Sequence, residues 1–436
     1  MKNIARIDYE VFFLQNWKEC EILKFFHYKN DDIEENVINN SVGYKILKNK
    51  NLYNNLLSGD SSKTKNLLVV YDYDIKKHKI RNINIRTHKK IKGFGFETTM
   101  IPNDGSSEQE INLKLDFKFK PETILLIGNF KLLNKELLYF PNKYKKIYLE
   151  KEYFYKQPNK LENIEVNKIN TEQLTLKGNF KLMGYFNTST KYLNIGEDVV
   201  CSSVRFFKNH KLKKFKIYLS NTNFIILSKI KNLNIEFLKI VLEEDLSKKE
   251  LIIKNDNKID ILQIEEEVFF SKHKFKRIVL ENINKLKLNL ESIRRFAYNK
   301  TKLIFKNIND IEIKGLENYD DKDKDYNYET KKNIIDTLYY FFYELVNNSE
   351  NVDKVDIKNQ QNNNEINKIF QFLNTYFITK QNNTRITKSI FEENFSGLIN
   401  IELLLLFNKY NLEIPSDLIC FIDKEKIKNK MKVLRI

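Results

Sequence analysis

The residues best suited to chemistry lie in one short run. Lys76 to Lys92 holds eight cationic side chains and no acid: Lys76, Lys77, Lys79, Arg81, Arg86, Lys89, Lys90 and Lys92. Cations spaced along a strand neutralise phosphates and release their counterions. The same pattern, with Ile83 and Ile85 between, also suits a solvated edge strand that uses Lys to discourage aggregation. Other reactive residue types are scattered. Gly59-Asp-Ser-Ser-Lys63-Thr64 ends like a phosphate-cradling loop, but Leu57 and Ser62 stand where glycines are required. His27, His78, His88, His210 and His273 stand alone, and His210 and His273 occupy equivalent repeat positions, which implies a structural role. Cys20, Cys201 and Cys420 lie far apart with no C-x-x-C, so neither a disulfide framework nor a zinc site is expected. No nucleophile, base and orienting acid group together. The expectation is a chain without catalytic residues, cofactors or metal.

One segment next to the basic run bears on RNA. Lys92-Gly93-Phe94-Gly95-Phe96 resembles the opening of the octamer of the RNA-recognition-motif family, which implies that Phe94 and Phe96 stack on bases. Leu67 to Asp72 could supply the partner strand. The likeness then fails. Glu97 replaces an apolar residue, Thr99 replaces an aromatic, and Lys76 to Lys90 alternates like a strand where that fold needs a helix.

The total charge says less than its position. Of 75 basic residues in 436, 66 are Lys and nine are Arg, beside 57 Asn and two Ala, the skew that an AT-rich genome writes. Such a genome inflates Lys whatever the protein binds, so a net charge of +17 does not by itself indicate nucleic acid. Asp8 and Glu10 fall where a signal peptide needs an apolar run, and no stretch approaches the ~18 apolar residues of a membrane span. A cytoplasmic protein without a membrane partner is expected.

What must position these side chains is a repeat. An apolar pair with one residue between, a spacer and Asn-x-Asn recur in Ile217-Tyr-Leu219-Ser-Asn221-Thr-Asn223, Leu251-Ile-Ile253-Lys-Asn255-Asp-Asn257, Ile278-Val-Leu280-Glu-Asn282-Ile-Asn284 and Leu303-Ile-Phe305-Lys-Asn307-Ile-Asn309. Gly-Asn-Phe-Lys-Leu also appears twice, at 128–132 and 178–182, after Ile124/Leu126 and Leu174/Leu176. A three-residue strand buries one face only if a like strand stacks beside it, and Asn at a turn can satisfy backbone groups exposed by the bend. Between strands, Leu290-x-x-Ile293-x-x-Phe296 has helical spacing.

On these residues the chain resembles the leucine-rich-repeat family. Leu161-x-x-Ile164-x-Val166 matches the opening of its unit, while Ile124-x-Leu126-x-x-Asn129 and Leu174-x-Leu176-x-x-Asn179 match its strand and asparagine. Phe296-Ala297-Tyr298 loosely matches an A-F-x-x-C subtype. Four copies depart from the pattern by placing Asn two and four residues after the second apolar position, which leaves a parallel β-helix open.

The expected fold is α/β in class, α+β overall: an irregular leucine-rich-repeat-like solenoid over 119–316, between an α/β N-terminal domain at 1–118 and an α-helical C-terminal cap at 331–436. Glu317 to Thr330 reads as a linker, and Asn347 to Asn364 as a mobile insertion. Val11, Leu14, Trp17, Cys20, Leu23 and Phe26 share one helical face. Helical spacing returns at Ile334 to Leu345 and at Ile366 to Phe377.

The solenoid face carries Lys216, Arg277 and Lys302 among mixed charges, with Tyr148 and Tyr218 at the middle of apolar-x-apolar strands. Mixed charge with aromatics suits a protein surface. The leading expectation is a non-enzymatic protein-interaction scaffold or adaptor with a protein partner. The alternatives are an RNA- or ribosome-associated factor using 76–92, and a structural protein that self-assembles into homo-oligomers or polymers through the solenoid ends.

Overall fold

The computed structural model describes residues 4–8, 22–28, 67–74, 79–87, 93–99, 110–151, 161–196, 198–242, 246, 248–266, 275–314, 324–357, 364–383 and 385–422. The chain divides into two compact units, Met1–Lys229 and Ile230–Ile436, so the expected solenoid spans the division.

Unit 1 begins with β1 (Ile4–Asp8), β2 (Ile22–Tyr28), β3 (Leu67–Asp74), β4 (Lys79–Thr87), β5 (Gly93–Thr99) and β6 (Ile111–Phe117). It continues with β7 (Thr123–Ile127), β8 (Phe130–Leu132), β9 (Tyr144–Lys151), β10 (Glu162–Glu165) and β11 (Thr171–Gly178). It closes with β12 (Phe180–Tyr185), β13 (Tyr192–Ile195), β14 (Val200–Arg205), β15 (Lys211–Leu212) and β16 (Lys214–Leu219). Every second or third strand returns to the same sheet, so β5, β7, β9, β11, β13 and β16 pair in parallel. Their registers stack Phe94, Ile124, Ile147, Leu174, Leu193 and Phe215 in one buried column. Phe96, Leu126, Leu149, Leu176, Ile195 and Ile217 form a second. Both columns come from the apolar-x-apolar pattern, because alternate residues of a strand face the same way. In β16 the stacked pair is Phe215/Ile217 rather than Ile217/Leu219, a shift of two.

The repeated Gly-Asn-Phe-Lys-Leu phrase makes corners. Gly128 and Gly178 adopt φ of 116° and 81°, and the chain turns at each into a strand, β8 or β12, with buried Phe130/Leu132 or Phe180/Leu182. The second side of the coil is the parallel sheet β10-β12-β14, while β3, β4, β6 and β8 form another sheet in which β3 and β4 run antiparallel.

Unit 2 contains β17 (Asn234–Ile235), β18 (Phe237–Leu242), β19 (Glu250–Glu266), β20 (Arg277–Asn289), α1 (Leu290–Tyr298), β21 (Lys302–Lys314), α2 (Lys324–Asn348) and β22 (Glu350–Ile357). After them come α3 (Asn364–Asn382), α4 (Lys388–Asn394), α5 (Ile401–Lys409) and α6 (Ser416–Ile419). Strands β18 to β22 again pair in parallel. Leu251/Ile253, Ile278/Leu280 and Leu303/Phe305 are in register and buried, as are the later pairs Leu262/Ile264, Leu286/Leu288 and Ile311/Ile313. Helix α1 buries Leu290, Ile293 and Phe296 as their spacing requires, and the Asn289 side chain caps it by accepting from the Glu291 N–H at 3.1 Å.

A parallel β-solenoid with a helical C-terminal region is therefore present, with differences of detail. Asn-x-Asn does not end the strands of unit 2 but lies within them: Asn282 and Asn307 take φ of 62° and 54° inside β20 and β21, and the matching Asn351, second residue of β22, takes 54°, which asparagine tolerates better than most side chains. The expected insertion at 347–364 contains β22, and the expected linker is helical from Lys324. Leu23 and Phe26 belong to strand β2 rather than to a helix. Val11, Leu14, Trp17 and Cys20 lie outside the described residues.

Candidate interaction surface

In unit 1 the residues between the buried columns face away from them. Leu125, Tyr148, Thr175, Asn194 and Lys216 form that outward column. The Tyr148 ring lies between Lys146 and Lys177, whose ammonium groups stand 5.9 and 5.8 Å from its centroid. Its hydroxyl donates to the Glu150 carboxylate, and Lys177 reaches the same carboxylate at 3.3 Å. Burial, then the bond to Glu150, pushes the Tyr148 phenol above its ordinary value. Burial opposes the charge on Lys177, but the Tyr148 phenol and Glu150 outweigh it and raise its pKa. Tyr218 sits on the same outward face one strand position past Ile217, with Lys216 over its ring at 4.2 Å and bonded to its hydroxyl. The two tyrosines therefore do not share a column, because Tyr148 aligns with Lys216.

In unit 2 the outward residue of each first pair is itself apolar. Ile252, Val279 and Ile304 stand in register; Ile252, near the start of β19, is 37% exposed and Ile304 is half-buried, whereas Val279 between them is only 6% exposed. Two charged rows flank this strip. Glu250, Arg277 and Lys302 form one, with Arg277 bonded to Glu250 at 3.1 Å and Lys302 exposed. Lys254, Glu281, Lys306 and Glu350 form the other, alternating in sign, with ion pairs of 3.2 Å (Lys254–Glu281) and 3.0 Å (Lys306–Glu350). An apolar centre with a polar rim is the anatomy of a protein interface.

Past the bend the asparagines bond to one another. Asn282 donates to the Asn255 carbonyl at 2.7 Å, Asn307 to the Asn282 side chain at 3.1 Å, and Asn351 to the Asn307 side chain at 2.9 Å. Asn284 and Asn309 continue a second row from Asp260. Asn282, Asn307, Asn309 and Asn351, together with Asp256, Lys258 and Asp353, line a groove of about 420 Å³. Asn351 and Asp353 were hidden in the asparagine-rich segment, yet Asn351-Val-Asp353-Lys-Val355-Asp-Ile357 repeats the end of the phrase as Asn307-Ile-Asn309-Asp-Ile311-Glu-Ile313 writes it.

The basic run is placed in part. Lys79, Arg81 and Arg86 belong to β4, which lies between β3 and β6 and so is not an edge strand. Lys76, Lys77, Lys89, Lys90 and Lys92 lie outside the described residues. Phe94 and Phe96 are 1% and 2% exposed and belong to the stacked core, where they offer no face to a base. No group of three metal-ligating side chains occurs among the described residues, and no described helix is long and apolar enough to cross a membrane.

His210 is 3% exposed, and its Nε2 donates to the Thr190 carbonyl at 2.8 Å. Burial depresses its pKa below 6.5 despite that bond. The unfolded chain therefore takes up a proton that the folded chain resists: stability is full above about pH 6.5 and declines as pH falls toward the folded value. Between about pH 7.5 and pH 5.5 the melting temperature of His210→Gln should fall less than that of the wild type. Equal slopes would show that His210 does not contribute to the acid sensitivity.

No protein-family model matches the chain, and no solved structure matches it. The chain is similar to Reticulocyte-binding protein homolog 1 of Plasmodium falciparum (isolate 3D7), with 24% identity over 441 residues. The likeness covers 89% of this chain and 13% of that protein's length.

Proposed function

We propose that the chain is a non-enzymatic, cytoplasmic protein-interaction scaffold, and that its solenoid is of the leucine-rich-repeat kind. The strip Ile252, Val279 and Ile304 carries the functional reading. Ile252 is exposed and Ile304 half-buried, with Val279 buried between them, so the two isoleucines leave apolar surface that a partner can cover, and its rim includes Arg277 and Lys302. The charges around it are already paired across strands, which favours a protein over a polyanion. A likeness to a protein named for reticulocyte binding is in keeping with a binding role. The apolar-x-apolar strands, the asparagine row and α1 support the repeat assignment, whereas the second parallel sheet of unit 1 departs from it.

In unit 1, Tyr148 and Tyr218 are rigid amphipathic anchors, held by Glu150 and Lys216. Substituting both with Ser should weaken partner capture by about tenfold or more, since an aromatic hot spot is worth ~2 kcal/mol, and should leave the melting temperature within ~2 °C. Unchanged capture would place the interface on the isoleucine strip, to be tested with Ile252→Ser/Ile304→Ser.

A further inference from the structure

The parallel ladder of unit 2 ends at β22, and no hydrogen bond among the described residues reaches the outer edge of that strand. We propose that this edge captures an extended peptide segment of a partner protein as one more parallel strand, selected by the side chains that β22 displays. The proposal rests on the protein-interaction reading and specifies its ligand.

The ladder writes the rule for its next member. Along the second charged row the sign alternates from Lys254 to Glu281, Lys306 and Glu350, so the residue opposite Glu350 should be Lys. Opposite Asn351, which donates to Asn307 as Asn307 donates to Asn282, an Asn extends the amide row. Lys285, Asp310 and Lys354 alternate as well, with Lys285–Asp310 at 3.0 Å, and so Asp belongs opposite Lys354. Glu312 and Asp356 are neighbours of like charge, each already paired with a lysine, Lys285 at 2.8 Å and Lys354 at 2.5 Å, and a Lys beyond Asp356 keeps a cation beside that carboxylate once Lys354 turns to the Asp opposite it. Val352 and Val355 are buried, with α3 packed on β22, so apolar residues opposite them and opposite Ile357 continue the columns that β21 and β22 share. The complementary strand therefore reads Lys-Asn-Ile-Asn-Asp-Ile-Lys-Ile. It differs from β21, the strand that β22 already accepts on its other side, only at the seventh position. Main-chain bonds at an open edge supply affinity, and alternate side chains supply selectivity.

The test is fluorescence anisotropy with the full chain and two labelled peptides, Lys-Asn-Ile-Asn-Asp-Ile-Lys-Ile and its charge-inverted form Glu-Asn-Ile-Asn-Lys-Ile-Glu-Ile. The first should bind at least tenfold more tightly. The variant Glu350→Lys/Lys354→Glu, its folding checked by circular dichroism, should reverse the preference. Equal affinities, an unchanged preference in the folded variant, or no saturation by either peptide at ~1 mM would overturn the proposal. If neither peptide binds while Ile252→Ser/Ile304→Ser abolishes partner capture, the edge proposal falls and the interaction reading stands.

Discussion

Gly178→Ala is expected to destabilise unit 1 by more than ~2 kcal/mol, lowering its melting temperature by about 5 °C or more. Gly178 has φ of +81°, and a Cβ there would lie 1.8 Å from the Lys151 carbonyl oxygen of the neighbouring strand. Backbone, not a flexible side chain, blocks the space. Strand β9 cannot easily retreat, because Lys151 is 6% exposed and holds Glu162 at 3.3 Å. Moving it would separate a buried ion pair, which is costly when one partner is left behind. Gly397→Ala is the control, since nothing lies within 4 Å of its added carbon. If both variants melt with the wild type, the corner does not depend on glycine.

Leu280→Ala should cost about 2–5 kcal/mol. Leu280 is 1% exposed and stands between Ile253 and Phe305 in register on β19 and β21. Both neighbours are fixed by their own ladders and cannot collapse into the space, so the cavity persists. The urea midpoint should fall with little change in slope. Lys302→Ala, at an exposed position of the same sheet, should change stability by less than ~0.5 kcal/mol. A Leu280→Ala loss no larger than that of Lys302→Ala would mean that the stacked pair is not core.

The stacked pairs were legible because period two and a recurring phrase leave one efficient burial, side by side and parallel. Helix α1 was legible from Leu290, Ile293 and Phe296. Register in β16 was not, since Phe215, Ile217 and Leu219 are three alternating apolar residues, and a slip of two keeps the same face inward. Asparagine with positive φ serves a turn and a bend within a strand equally well, so Asn282 and Asn307 read as turns until their neighbours were in place. Strand β22 was concealed by composition. Its first apolar pair is absent, α2 runs to Asn348 in its place, and asparagine-rich sequence reads as insertion. The outward residues Ile252 and Ile304 were indistinguishable from core because a strand's two faces differ only in what packs on them, and Val279 between them is in fact buried. Phe94 and Phe96 pose the same ambiguity in reverse.

Capture from native lysate with and without nuclease decides whether the solenoid face recognises protein. Tagged wild-type chain should retain the same partner bands after nuclease at ~150 mM salt, Lys77→Glu/Lys79→Glu/Arg81→Glu/Arg86→Glu should retain them too, and Ile252→Ser/Ile304→Ser should lose them while remaining folded. Bands that vanish with nuclease and with the charge reversals, but survive the isoleucine substitutions, would rule out the isoleucine surface and make the basic run the functional site.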